Sequence, residues 1–276
     1  MTRLPTWVWA TLCTVATAAL LLVGWQLAIT LSGLSPYLAK TPIDVWRYLF
    51  VDGVGNPADA AERRAALGPM IGVTLLHSAV GLLLGVGAGF VGAVTLTVSR
   101  ALRSIFLPLA LLLQTVPLIA MAPVLYAVFG SGILTAAAVA AVVTFFPLLM
   151  NIGAGLSSSA PETLDLVRAY GGGRWTTLRY VQLPASLPSL FAGLKLAAPA
   201  TVSAATLYEF LFSFEGLGAN LLTSKSYSDY GLLWTLVVIT VLLSLAAYAL
   251  VVAAEALLLT GRFPPRASTP AQKGHA

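Results

Sequence analysis

The sequence predicts an all-α integral membrane protein with six transmembrane helices, and three observations carry that expectation. The chain of 276 residues is 58% hydrophobic and only 9% charged, with a mean hydropathy of +0.90. A soluble domain holds about 25% charged residues. A spanning helix needs about 20 mostly apolar residues, and such stretches recur at 7–33, 71–98, 104–129, 133–155, 186–212 and 232–260. Finally, the net charge of +5 sorts by side. With the N-terminus inside, ten Lys and Arg fall in the cytoplasm and five outside (Lys40, Arg47, Arg63, Arg64 and Lys225). A nucleic-acid binder would also be basic, but this alternation follows the positive-inside rule and sets both termini in the cytoplasm.

The elements follow in order. Arg3, an apolar run and Ala16-Thr17-Ala18 mimic a signal peptide, yet the run continues through Leu20-Leu21-Leu22-Val23. That is too long for a signal core, so 1–35 reads as an uncleaved first helix. Segment 36–70 lies outside. Within it Thr41-Pro42-Ile43-Asp44 is a helix-start signature, and Ile43, Trp46, Leu49 and Phe50 recur at helical spacing. This amphipathic helix either lies on the outer membrane face, which suits Trp46 and Tyr48, or packs on the bundle. Residues 51–68 read as a mobile loop.

Residues 71–260 form the transmembrane core. Gly81, Gly85 and Gly89 in the second span form overlapping GxxxG repeats, which serve close helix packing or a dimer seam. Pro108, Pro117 and Pro123 in the third span and Pro147 in the fourth each favour a kink. Carbonyls freed in this way need a partner in protein or in a water-lined cavity. Gln114, Thr115 and Asn151 should therefore face the bundle interior. From Arg262 onward Pro264, Pro265 and Pro270 mark 261–276 as a disordered tail.

The longest polar interruption of the core is 157–184. It reads as a helix from Pro161, a turn at Gly171-Gly172-Gly173, and a second short helix that Pro184 stops before the membrane. Leu164, Val167 and Tyr170 line one face of the first helix. Within it, Asp165-Leu166-Val167 is followed by three residues, Gly171, nine residues, Val181, Gln182 and Leu183-Pro184. This spacing resembles the cytoplasmic EAA loop of bacterial ABC importer permeases: Glu-Ala-Ala, three residues, Gly, nine residues, Ile, one residue, Leu-Pro. Leu166-Val167 in place of Ala-Ala is the main departure. Glu209 followed seven residues later by Gly216-Leu217-Gly218 resembles the nitrate, sulfonate and taurine branch. So do Val116-Pro117 through Phe129-Gly130 and Pro42 through Trp46, and the resemblance covers roughly 40–258. His77 stands where that branch has an Arg.

The resemblance implies a type-I ABC importer permease fold whose cytoplasmic coupling helix engages an ATPase. The coupling residues are then Leu164, Asp165, Val167, Arg168, Tyr170, Gly171, Val181, Leu183 and Pro184. Two ATP-binding subunits, a second permease copy or paralogue, an extracytoplasmic solute-binding protein and membrane lipid are the implied partners, with no nucleic acid. The physical logic is independent of the resemblance. Switching a passage from 1:99 to 99:1 takes about 5.5 kcal/mol of differential interaction. The chain has no GxxxxGK[ST] to cradle phosphate, so ATP and Mg are expected on the partner and no cofactor on this chain. Cys13, His77 and His275, the only thiol and imidazoles, make a metal site or intramembrane metalloenzyme a poor fit. A six-span secondary carrier or channel is the competing reading. Such carriers often show internal repeats and buried coupling charges, and neither stands out here.

Few ionisable groups fall inside the spans. Glu209, near the outer end of the fifth, either pairs structurally or lines the solute pathway with Gln114, Met121 and Tyr208. Lys195 either snorkels or attracts an anion, and Glu255 snorkels or packs. Tyr208, Phe210, Phe212 and Phe214 form an interfacial belt or a stacking site. The solute itself is left open between nitrate-, sulfonate- or taurine-like and thiamine-precursor- or riboflavin-like molecules.

Overall fold

Residues 6–53 and 59–259 are described by the computed structural model. Every regular element among them is helical: α1 (Thr6–Leu31), α2 (Pro42–Phe50), α3 (Ala60–Val98), α4 (Arg100–Leu113), α5 (Leu118–Phe129), α6 (Ile133–Leu156), α7 (Pro161–Ala169), α8 (Arg174–Thr177), α9 (Leu183–Phe212), α10 (Gly216–Ser226) and α11 (Tyr230–Leu259). Among the described residues five unbroken helical stretches are long and apolar enough to cross a membrane, and α4 with α5, bent by 104°, passes the same test as a pair, which is the geometry of a broken span or a re-entrant loop. The all-α membrane architecture expected from hydropathy is therefore present.

Three expectations need correction. The loop read over 51–68 is shorter, because α3 already begins at Ala60. Residues 59–68 are rich in good helix formers. The Arg63 guanidinium donates to the Tyr48 and Val51 carbonyls, and Arg64 to that of Leu49, which ties this turn to the end of α2. The third span, read as one stretch kinked at its prolines, is divided into two helices, α4 and α5. Pro117 disfavours helical backbone in the residue before it and becomes the N-cap of α5. Pro184 does not stop a helix. A π-turn over Leu178–Gln182 joins α8 to α9, with Leu183 N–H donating to the Leu178 carbonyl, and the wider turn takes up the proline in the first turn of α9. Residues 54–58 of the expected loop, and the tail expected at 261–276, lie outside the described residues. The helix α10 had no counterpart in the sequence reading.

The chain forms two compact units. One is drawn from Met1–Leu76 and Ala205–Leu242. In it α2 starts with a capping box between Thr41 and Asp44 and buries Val45 and Tyr48. The Tyr48 ring lies against Gly231 and its hydroxyl donates to Asp229 at 3.5 Å. Trp234 Nε1 donates to the Leu38 carbonyl at 3.0 Å and its ring stacks on Trp25. Thus α2 packs on the chain through one face, while Ile43, Trp46 and Phe50 stay exposed on the other.

The second unit is drawn from His77–Ala204 and Leu243–Ala276. Its centre is the glycine stripe of α3 against α6. A Cβ added at Gly81, Gly85 or Gly89 would lie 2.3, 2.5 or 2.9 Å from the Cβ of Ala140, Thr144 or Leu148. The four-residue register on both helices is ridge-into-groove packing at a separation only glycine permits. The stripe thus serves packing within the chain. Leu148, Leu149, Ile152 and Leu156 of α6 join Ala93, Leu178 and Ala197 in one buried cluster. Thr144 and Thr201, also buried, hydrogen-bond to each other at 2.8 Å.

Candidate functional site

The segment 157–184 has a local logic that sets its shape. Pro161 opens α7 at N1, where no N–H is needed. Glu162 in the first turn and Arg168 in the last complement the helix dipole. Asp165 and Arg168 pair at 2.9 Å, but both are about 70% exposed, so the pair contributes little. The helix then ends in a Schellman turn. Gly171 N–H donates to the Arg168 carbonyl and Gly172 N–H to that of Val167. Gly171 has φ +76°, and a Cβ at Gly172 would meet Val167 Cγ1 at 2.4 Å. The two glycines therefore perform different tasks, one conformational and one steric.

Exposure sorts the expected coupling residues. Leu164 and Val167 are half-buried, Val167 beneath Gly172 and Leu164 on a cleft of about 900 Å³. Val181 and Leu183 are half-buried where α9 begins, and Pro184 is exposed. The large outward side chains are Leu166 (57%), Tyr170 (85%) and Trp175 (70%), with Tyr180 (69%) further along. Leu166 and Trp175 were missed in the sequence. Their signal was a four-residue step from Leu166 to Tyr170 and a tryptophan in an otherwise polar turn. The cleft beside this face is basic, with Arg100, Arg168 and Arg174 on its walls and no acidic lining residue.

The four expected pathway residues divide into two places. Gln114 and Met121 line an open cleft at the break between α4 and α5. Tyr208 and Glu209 are buried instead, at 1% and 0% exposure. Thr74 Oγ1 donates to Glu209 Oε2 at 2.7 Å, and Gly218 N–H donates to the same oxygen at 3.0 Å. Leu217 N–H donates to Thr74 Oγ1 at 2.9 Å. The carboxylate thus caps the start of α10, where unpaired N–H groups and the helix dipole favour negative charge. A Cβ at Gly216 would meet the Glu209 carboxyl at 2.3 Å, and one at Gly218 the Thr206 carbonyl at 2.1 Å. The spacing of Glu209 to Gly216-Leu217-Gly218 is therefore a capping geometry. Thr74 was the missed member, since nothing in the sequence joins positions so far apart.

Lys195 and Glu255, read separately from the sequence, form an ion pair with each other. Neither needs to snorkel alone when the other neutralises it. His77 is buried at 8% exposure.

Residues 81–259 match the family described as "Binding-protein-dependent transport system inner membrane component". The chain is 32% identical to the riboflavin transport system permease protein RibX of Chloroflexus aurantiacus, across 91% of this chain and 90% of that protein. It is 30% identical to a probable ABC transporter permease protein of Haemophilus influenzae, across 83% and 89%. It is 29% identical to the formylaminopyrimidine transport permease protein ThiX of Halalkalibacterium halodurans, across 72% and 75%. More distant relatives carry the names of taurine, aliphatic sulfonate and nitrate permeases.

Proposed function

Because the chain belongs to the family of binding-protein-dependent transport inner membrane components, we propose that it works as the solute passage of an ATP-driven importer whose engine is a separate subunit. It is the permease subunit of an ABC importer. The segment around α7 and α8 is the lever. Leu166, Tyr170 and Trp175 form its contact face to a groove on the ATPase, and Arg100, Arg168 and Arg174 present positive charge to acidic groups there. Two ATPases and two permeases, identical or paralogous, make the working assembly. A solute-binding protein delivers cargo outside, and both termini lie in the cytoplasm. The passage itself performs no covalent chemistry.

One observation carries this reading. A short helix ending in a Schellman turn projects large apolar side chains from a polar loop between two spans. Exposed Tyr and Trp at 85% and 70% gain most by burial in a partner, since aromatic side chains dominate interface energetics. The solute belongs to the range named for the relatives, from riboflavin and thiamine precursors to taurine and nitrate.

The test is direct. When the chain is purified with its cognate ATPase, Tyr170→Ala with Trp175→Ala should weaken their association and abolish ATP-dependent uptake while membrane insertion persists. Unchanged association and uptake in that double variant would remove the lever assignment.

A further inference from the structure

The bend between α4 and α5 opens backbone in the midst of an apolar segment. Irregular backbone at membrane depth is tolerated where protein covers it or where it lines a polar cavity. Here Gln114, Thr115 and Pro117 form one wall of an open cleft of about 430 Å³, with Phe146 and Pro147 of α6 on the opposite wall. That volume lies within the range of small-molecule sites.

The chemistry of the walls is specific. None of the residues that line the cleft carries an ionisable side chain. The Gln114 amide offers both donors and an acceptor. The Thr115 hydroxyl donates to the Leu112 carbonyl at 2.7 Å, leaving its lone pairs as acceptors. Phe146 and Met121 present an aromatic face and a polarisable thioether, which favour flat, unsaturated rings. In the same unit the cleft beside α7 carries three arginines, so fixed positive charge is concentrated elsewhere. An anion moved into the α4–α5 cleft would lose hydration without meeting a counter-charge, whereas a neutral amide-bearing ring would exchange water for the Gln114 amide.

We propose that this cleft is a solute-binding subsite and that its solute is an uncharged, planar heterocycle with amide-type N–H and C=O groups, not a small inorganic or sulfonate anion. The assignment rests on the importer-permease reading and narrows its cargo. It makes Gln114 and Phe146 specificity-determining residues.

The assembled transporter, with its ATPase and solute-binding protein in proteoliposomes, tests this with labelled riboflavin, formylaminopyrimidine, taurine and nitrate, following ATP hydrolysis alongside uptake. A ring-bearing probe should be taken up and neither taurine nor nitrate. Gln114→Leu should lower that uptake about tenfold, the worth of one good hydrogen bond, and Gln114→Asn should recover part of it. Uptake of taurine or nitrate, uptake of neither ring-bearing probe by a transporter that hydrolyses ATP, or full uptake by Gln114→Leu would overturn the assignment. If the permease neither stimulates the ATPase nor supports any uptake, the importer reading fails instead, and the two failures are distinct.

Discussion

At the scale of single residues, Glu209 shows how a charge inside an apolar helix can be structural. Its Oε2 accepts from Thr74 Oγ1 and from Gly218 N–H in a fully buried place. Glu209→Leu would leave the Gly218 N–H without its acceptor, at a cost of about 1–3 kcal/mol. The detergent-purified variant should unfold a few degrees lower, and Glu209→Gln, which keeps a carbonyl oxygen, should fall between the two. If Glu209→Leu melted with the wild type yet lost uptake, Glu209 would touch solute instead. Its partners explain the limits of the sequence reading. The seven-residue step to Gly216 was visible, but Thr74 is 135 positions away. Lys195 and Glu255 were likewise read apart, because linear order hides a pair brought together by two different helices.

Among the elements, the α3–α6 contact and the α7 lever make contrasting demands on glycine. Gly85→Val would drive a branched side chain into Thr144, whose Cβ already lies 2.5 Å from an added Cβ. Overpacking of this kind typically costs about 1–3 kcal/mol, and a lowered yield of folded protein in detergent should report it. Gly171→Pro acts differently. It fixes φ near −65° where +76° is required and removes the N–H bonded to Arg168. The protein should insert normally while ATP-dependent uptake is lost, and wild-type uptake would show that the turn transmits nothing. Both glycine roles were legible, since GxxxG and a Gly triplet are local patterns. The α4–α5 break was only half legible. Three prolines announced distortion, but which one would break the helix depended on Pro117 following Val116 at an exposed turn. Pro184 misled, because a π-turn absorbs a proline in a way that sequence spacing does not reveal. On α7 Tyr170 stands outward from the face read in the sequence, while Val167 turns beneath Gly172 and Leu166 is exposed in its place.

For the whole molecule, hydropathy located the long apolar helices. It did not foresee α10, a polar helix whose start is fixed by a carboxylate on α9. Orientation is open to a separate check. On a Cys13→Ser background, Ser158→Cys should react with an impermeant thiol reagent only from the cytoplasmic side, and Ser35→Cys only from outside. The reverse pattern would invert the topology and strand the lever away from any ATPase. The central claim is that a companion engine drives this passage. Proteoliposomes holding the chain with its ATPase and solute-binding protein should accumulate solute only while ATP is hydrolysed, and removing the ATPase should stop transport. Equal solute movement by the chain alone, with no nucleotide present, would contradict the account.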